Sequence, residues 1–229
     1  MNKITHTLVL APALLLAALI VPAPKSSAED LDTAAKSQAE TPLSIRSAAP
    51  GFVSYGQVLV LPIGPDGPVR IPNATSVMQR SRHGVSVSFR TTGLEPDTVY
   101  TLWMLVFNNP QFCEHPLAIV NCNPGAGDLA IPAVEGSVLW AAGGISDASG
   151  QIELASSVFN DGSTPGLKLS GPGLLDPFRP EVHLVLKRHG PAAELEATGE
   201  LETALTTNRG CVDACRDVQA AAHLPAGAR

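Results

Sequence analysis

Residues 91–109, TTGLEPDTVYTLWMLVFNN, decide the fold. Gly93-Leu94-Glu95-Pro96-Asp97 reads as a turn, since proline fixes φ and glycine accepts positive φ. Val99 to Phe107 is then nearly all apolar and rich in Val and aromatic residues. Such a run, entered through Pro-Asp and left through Asn-Asn-Pro, reads as a core strand rather than a helix. Tyr100 and Trp103 are its structural side chains. A tyrosine entering a core needs a partner for its hydroxyl.

Working outward, Val85-Ser86-Val87-Ser88-Phe89-Arg90 alternates apolar and polar residues, the period-two pattern of a half-buried strand. Val58 to Ile63 is a short apolar strand, and after the Gly64-Pro65-Asp66-Gly67 turn Val69 to Ile71 returns as its hairpin partner. Val138 to Ala142 and Gln151 to Ala155 flank the turn Asp147-Ala148-Ser149-Gly150, which predicts a hairpin over 138–158. Residues 181–187 place Val182, Leu184 and Leu186 on one face and Glu181, His183 and Lys187 on the other. Residues 190–208 read as a loop or a short helix, and Val218, Ala220 and Ala222 alternate near the end. Two stretches, 111–134 and 161–180, have no periodicity and are rich in Gly and Pro. Strands with hardly an amphipathic helix predict an all-β fold. The expectation is an antiparallel Ig/fibronectin-like β-sandwich with two long loops, with a closed β-barrel as the alternative.

The ends of the chain differ in kind. Residues 1–28 carry Lys3, an apolar run from Leu8 to Val21 and the small residues Ser26-Ser27-Ala28, the layout of a secretory signal peptide. The apolar run of about 14 residues is short of the roughly 20 that span a bilayer. Residues 29–50 are rich in Ala, Ser and acid and read as a flexible linker. One domain is expected over 51–224, followed by a disordered tail over 225–229. A formal net charge of −6, more acidic once Lys3 and Lys25 are removed, argues against nucleic acid and anionic membranes as partners. After cleavage the chain is expected to have no membrane span, and to be secreted or periplasmic.

Gly93-Leu94-Glu95-Pro96-Asp97-Thr98-Val99-Tyr100 resembles the Gly-Leu-x-Pro-x-Thr-x-Tyr turn of fibronectin type III domains. That likeness implies a sandwich in which Tyr100 forms a tyrosine corner. Over most of its length the chain also resembles an uncharacterised group of secreted bacterial proteins. The likeness is carried by His83-Gly84-Val85, by Thr101-Leu102-Trp103 with Phe107-Asn108-Asn109-Pro110, and by Cys113 and Cys122. It continues through Ala141-Ala142-Gly143-Gly144, Gly173-Leu174-Leu175-Asp176-Pro177, Glu181 to Leu186 and His189-Gly190-Pro191. It ends with Cys211, Cys215, Asp217-Val218-Gln219 and His223. It implies the same fold and export, and no activity.

Four cysteines in an exported chain predict two disulfides. The short-range pairs Cys113–Cys122 and Cys211–Cys215 are favoured, with crossed pairing as the alternative. Residues four apart in a strand lie about 13 Å apart, so Cys211 and Cys215 pair only across a turn or one helical turn. A four-cysteine zinc site is the weaker reading, because the spacings differ from the usual doublets. Histidines could build a metal or acid/base site. The histidines considered are His115, His183, His189 and His223, and the narrower set is His183 with Glu181, His189 or His223. No pair has the His-x-His or His-Glu-x-x-His spacing. Nucleophile-elbow, phosphate-loop and calcium-loop patterns are missing; Gly162 to Gly166 carries Thr164 at its centre. The expectation is a secreted, non-catalytic module without a cofactor that binds a protein or small ligand through its long loops. The alternative is an extracytoplasmic protein that binds or depends on a divalent metal through His183 and its neighbours.

Overall fold

The computed structural model of the chain describes residues 51–64, 67–117, 119–161, 163–164 and 166–227. The expected signal peptide and linker lie outside the described residues, as do Ala228 and Arg229 of the expected tail. Earlier in that tail, the Ala226 N–H donates to the Phe178 carbonyl at 2.8 Å.

Ten strands form two antiparallel sheets. They are β1 Phe52–Gly56, β2 Leu59–Val60, β3 Thr75–Ser81, β4 Gly84–Thr91, β5 Thr98–Phe107, β6 Gly136–Ile145, β7 Ile152–Phe159, β8 Lys168–Ser170, β9 Glu181–Pro191 and β10 Arg216–His223. One sheet has the order β1-β3-β4-β7 and the other β2-β10-β9-β5-β6-β8. Neither closes on itself among the described residues, so the fold is a sandwich and not a barrel. β3, β4 and β7 take the places of strands A, B and E of an immunoglobulin-type sandwich, and β5, β9 and β10 those of C, F and G.

The core is where the inner faces meet. Val85, Val87 and Phe89 of β4 and Ile152, Leu154 and Val158 of β7 pack against Tyr100, Leu102, Met104 and Val106 of β5 and Val182, Leu184 and Leu186 of β9. The alternation read in β4 is therefore the burial pattern observed, and in β9 Val182, Leu184 and Leu186 face the core as read. At about 25 cal/mol per Å² of apolar surface removed from water, this two-sided layer dominates stability.

β5 is buried at every position except the half-buried Leu105, because its outer face is covered too. At its start, α1 Ala192–Ala197 and α2 Leu201–Thr206 pack Leu195 and Ala204 onto Val99. Gly143 of β6 makes this possible: a Cβ there would run into the Leu205 carbonyl. At its end, the 111–134 loop folds back and buries Phe107 with Cys122 and Val134.

Three expectations change. The hairpin over 138–158 does not form: β6 pairs with β5 and β8, β7 with β4. Both edges of β6 are occupied, so the Asp147 turn carries the chain across to the other sheet. In β10 the buried residues are Gln219, Ala221 and His223, with Ala220 and Ala222 half-buried. A register shift between Asp217 and Gln219 sets that phase. The face of β9 read as polar is covered as well, and Glu181 and His183 are buried. Val69 to Ile71 does return beside Val58 to Val60, with Val60 N–H donating to the Val69 carbonyl and Ile71 N–H to the Val58 carbonyl. Residues 190–208 hold the two short helices.

Candidate functional site

The antiparallel register puts the two long loops at one end of the sandwich. Phe107 faces both Gly136 and Glu181 across its neighbours, so β5 ends where β6 and β9 begin. Asn108, at the exit of β5, ties the loops together. Its amide donates to the Glu135 and Gly173 carbonyls, each at 2.8 Å, and its Oδ1 accepts the Leu175 N–H at 3.0 Å.

The 111–134 loop is built rather than loose. Short 3-10 turns at Pro110–Phe112, Pro124–Ala126, Asp128–Ala130 and Pro132–Val134 run through it. Three of them start on a proline, whose fixed φ suits a first helical position. Cys113 and Cys122 are bridged, with Cα atoms 5.2 Å apart. Two buried carboxylates collect the loop's amides. Asp128 accepts from Asn123 N–H at 2.7 Å, Glu114 N–H at 3.1 Å and His115 Nδ1 at 2.8 Å. Glu181 accepts from Asn121 N–H at 2.9 Å, Asn121 Nδ2 at 2.7 Å, Cys122 N–H at 3.1 Å and His183 Nε2 at 2.7 Å.

Burial works to raise the Glu181 carboxyl, but the donors from His183 and Asn121 outweigh it and hold the group below the usual carboxylate range. The same balance holds Asp128 low, with burial opposed by Asn123, His115 and Glu114. Charged acceptors make hydrogen bonds roughly twice as strong as neutral ones, so both residues act as anchors for the loop backbone. In this loop Phe112, Leu117 and Ile119 are about half exposed, and Leu175 is exposed in the 161–180 loop.

Arg80 of β3 anchors the second loop. It is fully buried, and its guanidinium donates to the carbonyls of Pro177 at 2.7 Å, Pro180 at 3.1 Å and Leu224 at 3.0 Å. Burial lowers it to about 10, partly countered by Asp176.

The structure does not bring Glu181, His183, His189 and His223 together. Glu181 and His183 are adjacent on the outer face at the start of β9, where both carboxylate oxygens are taken by loop and ring donors. His223 points between the sheets, with Nδ1 2.9 Å from Ser54 Oγ and Nε2 2.8 Å from Ser76 Oγ. Burial, then Arg80 and His183, push its ring down to about 4. A ring that sheds its proton so readily is a poor general base, and this triplet is a polar cross-link between sheets. His189 is six residues beyond His183, about 20 Å along the strand.

At that far end, His189 Nε2 lies 2.8 Å from Thr101 Oγ1, which also accepts the Trp103 indole N–H at 2.8 Å. His189 Nδ1 faces the Arg209 carbonyl at 3.0 Å, so in the neutral ring Nδ1 carries the proton. Cys211 and Cys215 are bridged there, with Cα atoms 5.5 Å apart, as the short-range pairing requires. The Tyr100 hydroxyl has its partner as well, accepting the Glu95 N–H at 3.2 Å.

The chain matches no protein-family model, no curated protein and no solved structure. Among the described residues no helix is long and apolar enough to cross a membrane.

Sequence reasoning found the pairing of Cys113 with Cys122 and of Cys211 with Cys215 and a partner for the Tyr100 hydroxyl, and it named Glu181 only as a metal candidate, not as the loop anchor it is. It missed Asn108, Asp128 and Arg80. Asp128 had a signal: a carboxylate closing the Asn-Cys-Asn-Pro-Gly-Ala-Gly-Asp run, in reach of several free amides. Arg80 had none, because its acceptors are carbonyls far away in sequence.

Proposed function

We propose that this chain is an exported, non-catalytic β-sandwich that binds a protein partner through the loops 111–134 and 161–180. One observation carries the reading. The 111–134 loop is fixed by a disulfide and two buried carboxylates, while Phe112, Leu117 and Ile119 remain exposed. Holding apolar side chains in place before binding removes the ordering cost that weakens flexible loops. Aromatic and aliphatic anchors on a rigid frame are the usual centre of a protein interface. Export is supported by the pairing of all four cysteines and by the leader-like composition of residues 1–28.

The test is photocrosslinking in cells that express the full chain. A benzophenone amino acid is placed at 112 or 119, and at Glu153 on an exposed face of β7 as control. A discrete adduct from 112 and 119, absent from 153 and weakened by Leu117→Ser, is expected. Equal labelling at all three positions would remove the loop surface as the binding site.

A further inference from the structure

The cluster at the far end of β9 has a chemistry that the loop surface does not use. Cys211 Sγ and Cys215 Sγ lie 3.5 and 3.7 Å from His189 Nδ1. One donor atom from each of the three residues lies within 4.8 Å of the others. A first-row ion with sulfur at about 2.3 Å and nitrogen at about 2.0 Å, in a trigonal plane, needs sulfur and nitrogen about 3.7 Å apart. The present separations are close to that. For binding, the two sulfurs, now bonded to each other, have to part, and His189 Nδ1 has to leave the Arg209 and Gly210 carbonyls, now 3.0 and 3.3 Å away.

We propose that the reduced chain binds one Cu(I) ion through the Cys211 and Cys215 thiolates and His189 Nδ1. Three features of the surroundings support the assignment. First, Thr101 Oγ1, which accepts the Trp103 indole N–H, lies 2.8 Å from His189 Nε2, and Trp103, Thr101 and His189 are all buried. Ligating histidines are oriented in this way by a hydrogen bond on their second nitrogen. Second, the donor set suits a soft monovalent ion. Two thiolates and one imidazole favour Cu(I), whereas zinc seeks a fourth ligand, and among the described residues the group holds no fourth Cys, His or carboxylate. Third, the site is reachable. Cys211 lines an open cleft with Glu194, Thr198, Glu200, Thr203 and Arg209, where two exposed carboxylates stand with one guanidinium.

The chemistry balances as follows. A protein dithiol of the thioredoxin class delivers two electrons and two protons to the Cys211–Cys215 bond, which breaks, and the donor becomes a disulfide. Binding Cu(I) releases the two thiol protons. The ring proton moves from Nδ1 to Nε2, where Thr101 Oγ1 accepts it. In the disulfide form the sulfurs are no longer thiolates and the ion is not held, so the site is present only in the reduced protein.

The test uses the exported protein, anaerobic, with and without reductant, titrated with Cu(I) against a chromogenic Cu(I) chelator. Wild type and Cys211→Ser/Cys215→Ser are run side by side, so that copper bound elsewhere, including at Cys113 and Cys122, cancels. One extra Cu(I) per reduced wild-type chain, none without reductant, and at least a tenfold weaker site in His189→Gln are expected. X-ray absorption of the wild-type complex reads the ligands without any variant. Two sulfurs and one imidazole nitrogen support the site. Sulfur ligands alone, or equal copper uptake by wild type and the double-serine protein, would overturn it. So would tighter retention of Zn(II) than of Cu(I).

Discussion

Glu181 accepts the amide proton of Cys122 at 3.1 Å, and through it the first residue of β9 holds the disulfide-bearing loop against the sheet. The same carboxylate takes the Asn121 amide and the His183 ring. A local loop disulfide and a distant strand thus act on one stretch of backbone.

Replacing Glu181 tests that arrangement. Glu181→Gln keeps the shape but loses the charge and one acceptor, leaving a buried donor unpaired. The expected cost is about 2–3 kcal/mol, read by urea titration, with new protease cleavage inside 111–134. Unchanged stability and an intact loop would mean that the disulfide alone holds it.

The Cys113–Cys122 bridge closes a loop with a sequence separation of 9. In the chain-entropy model a loop of that size contributes roughly 2–3 kcal/mol. Cys113→Ser/Cys122→Ser should lower stability by about that amount and leave a folded sandwich. Cys211→Ser/Cys215→Ser, with its much smaller loop, should cost less. The reverse order by denaturant titration would contradict the assignment of roles.

Tyr100 is buried to 1 % exposure, and its hydroxyl accepts the Glu95 amide across the turn. Tyr100→Phe keeps the ring in the core and leaves that amide without its partner. The expected loss is about 1–2 kcal/mol with the fold retained. A neutral result in thermal and urea unfolding would mean that water serves the Glu95 amide equally well.

Stability should fall on mild acidification because of His223. Its ring is held neutral in the fold at about 4, against an ordinary value of 6.5. The unfolded chain therefore takes up a proton first as pH drops. Stability is fully present above about 6.5 and declines toward 4, by roughly 3 kcal/mol in all. The buried His189, also shifted downward by burial, acts in the same direction. Glu181 and Asp128 add a second loss below the ordinary carboxylate range, since their folded forms resist protonation. His223→Gln should flatten the fall between pH 6.5 and 4 in urea titrations. An unchanged slope would show that the ring titrates in contact with solvent.

Much of this was legible in local pattern. The alternation in 85–90 and 182–186 gave the buried faces of β4 and β9, and the Pro-Asp turn before Val99 marked the start of β5. The short cysteine spacings favoured the pairing observed. What stayed hidden was long-range. No local signal shows that β6 has both edges filled, so its turn to β7 was read as a hairpin. The polar face of β9 was read as open because the loop that binds Glu181 lies about 60 residues upstream. His183 and His189 share a strand in the sequence reading, yet the rise of a strand holds them far apart.

Backbone amide hydrogen exchange across 111–134 tests most directly whether the exposed apolar side chains stand on a prebuilt surface. The amides of Asn121, Cys122, Asn123 and Glu114 each donate to a buried carboxylate. They should therefore exchange within roughly tenfold of the amides in β5. Exchange at the rate of an unstructured peptide, with the disulfide intact, would contradict the account and leave the loop without a fixed face to bind with.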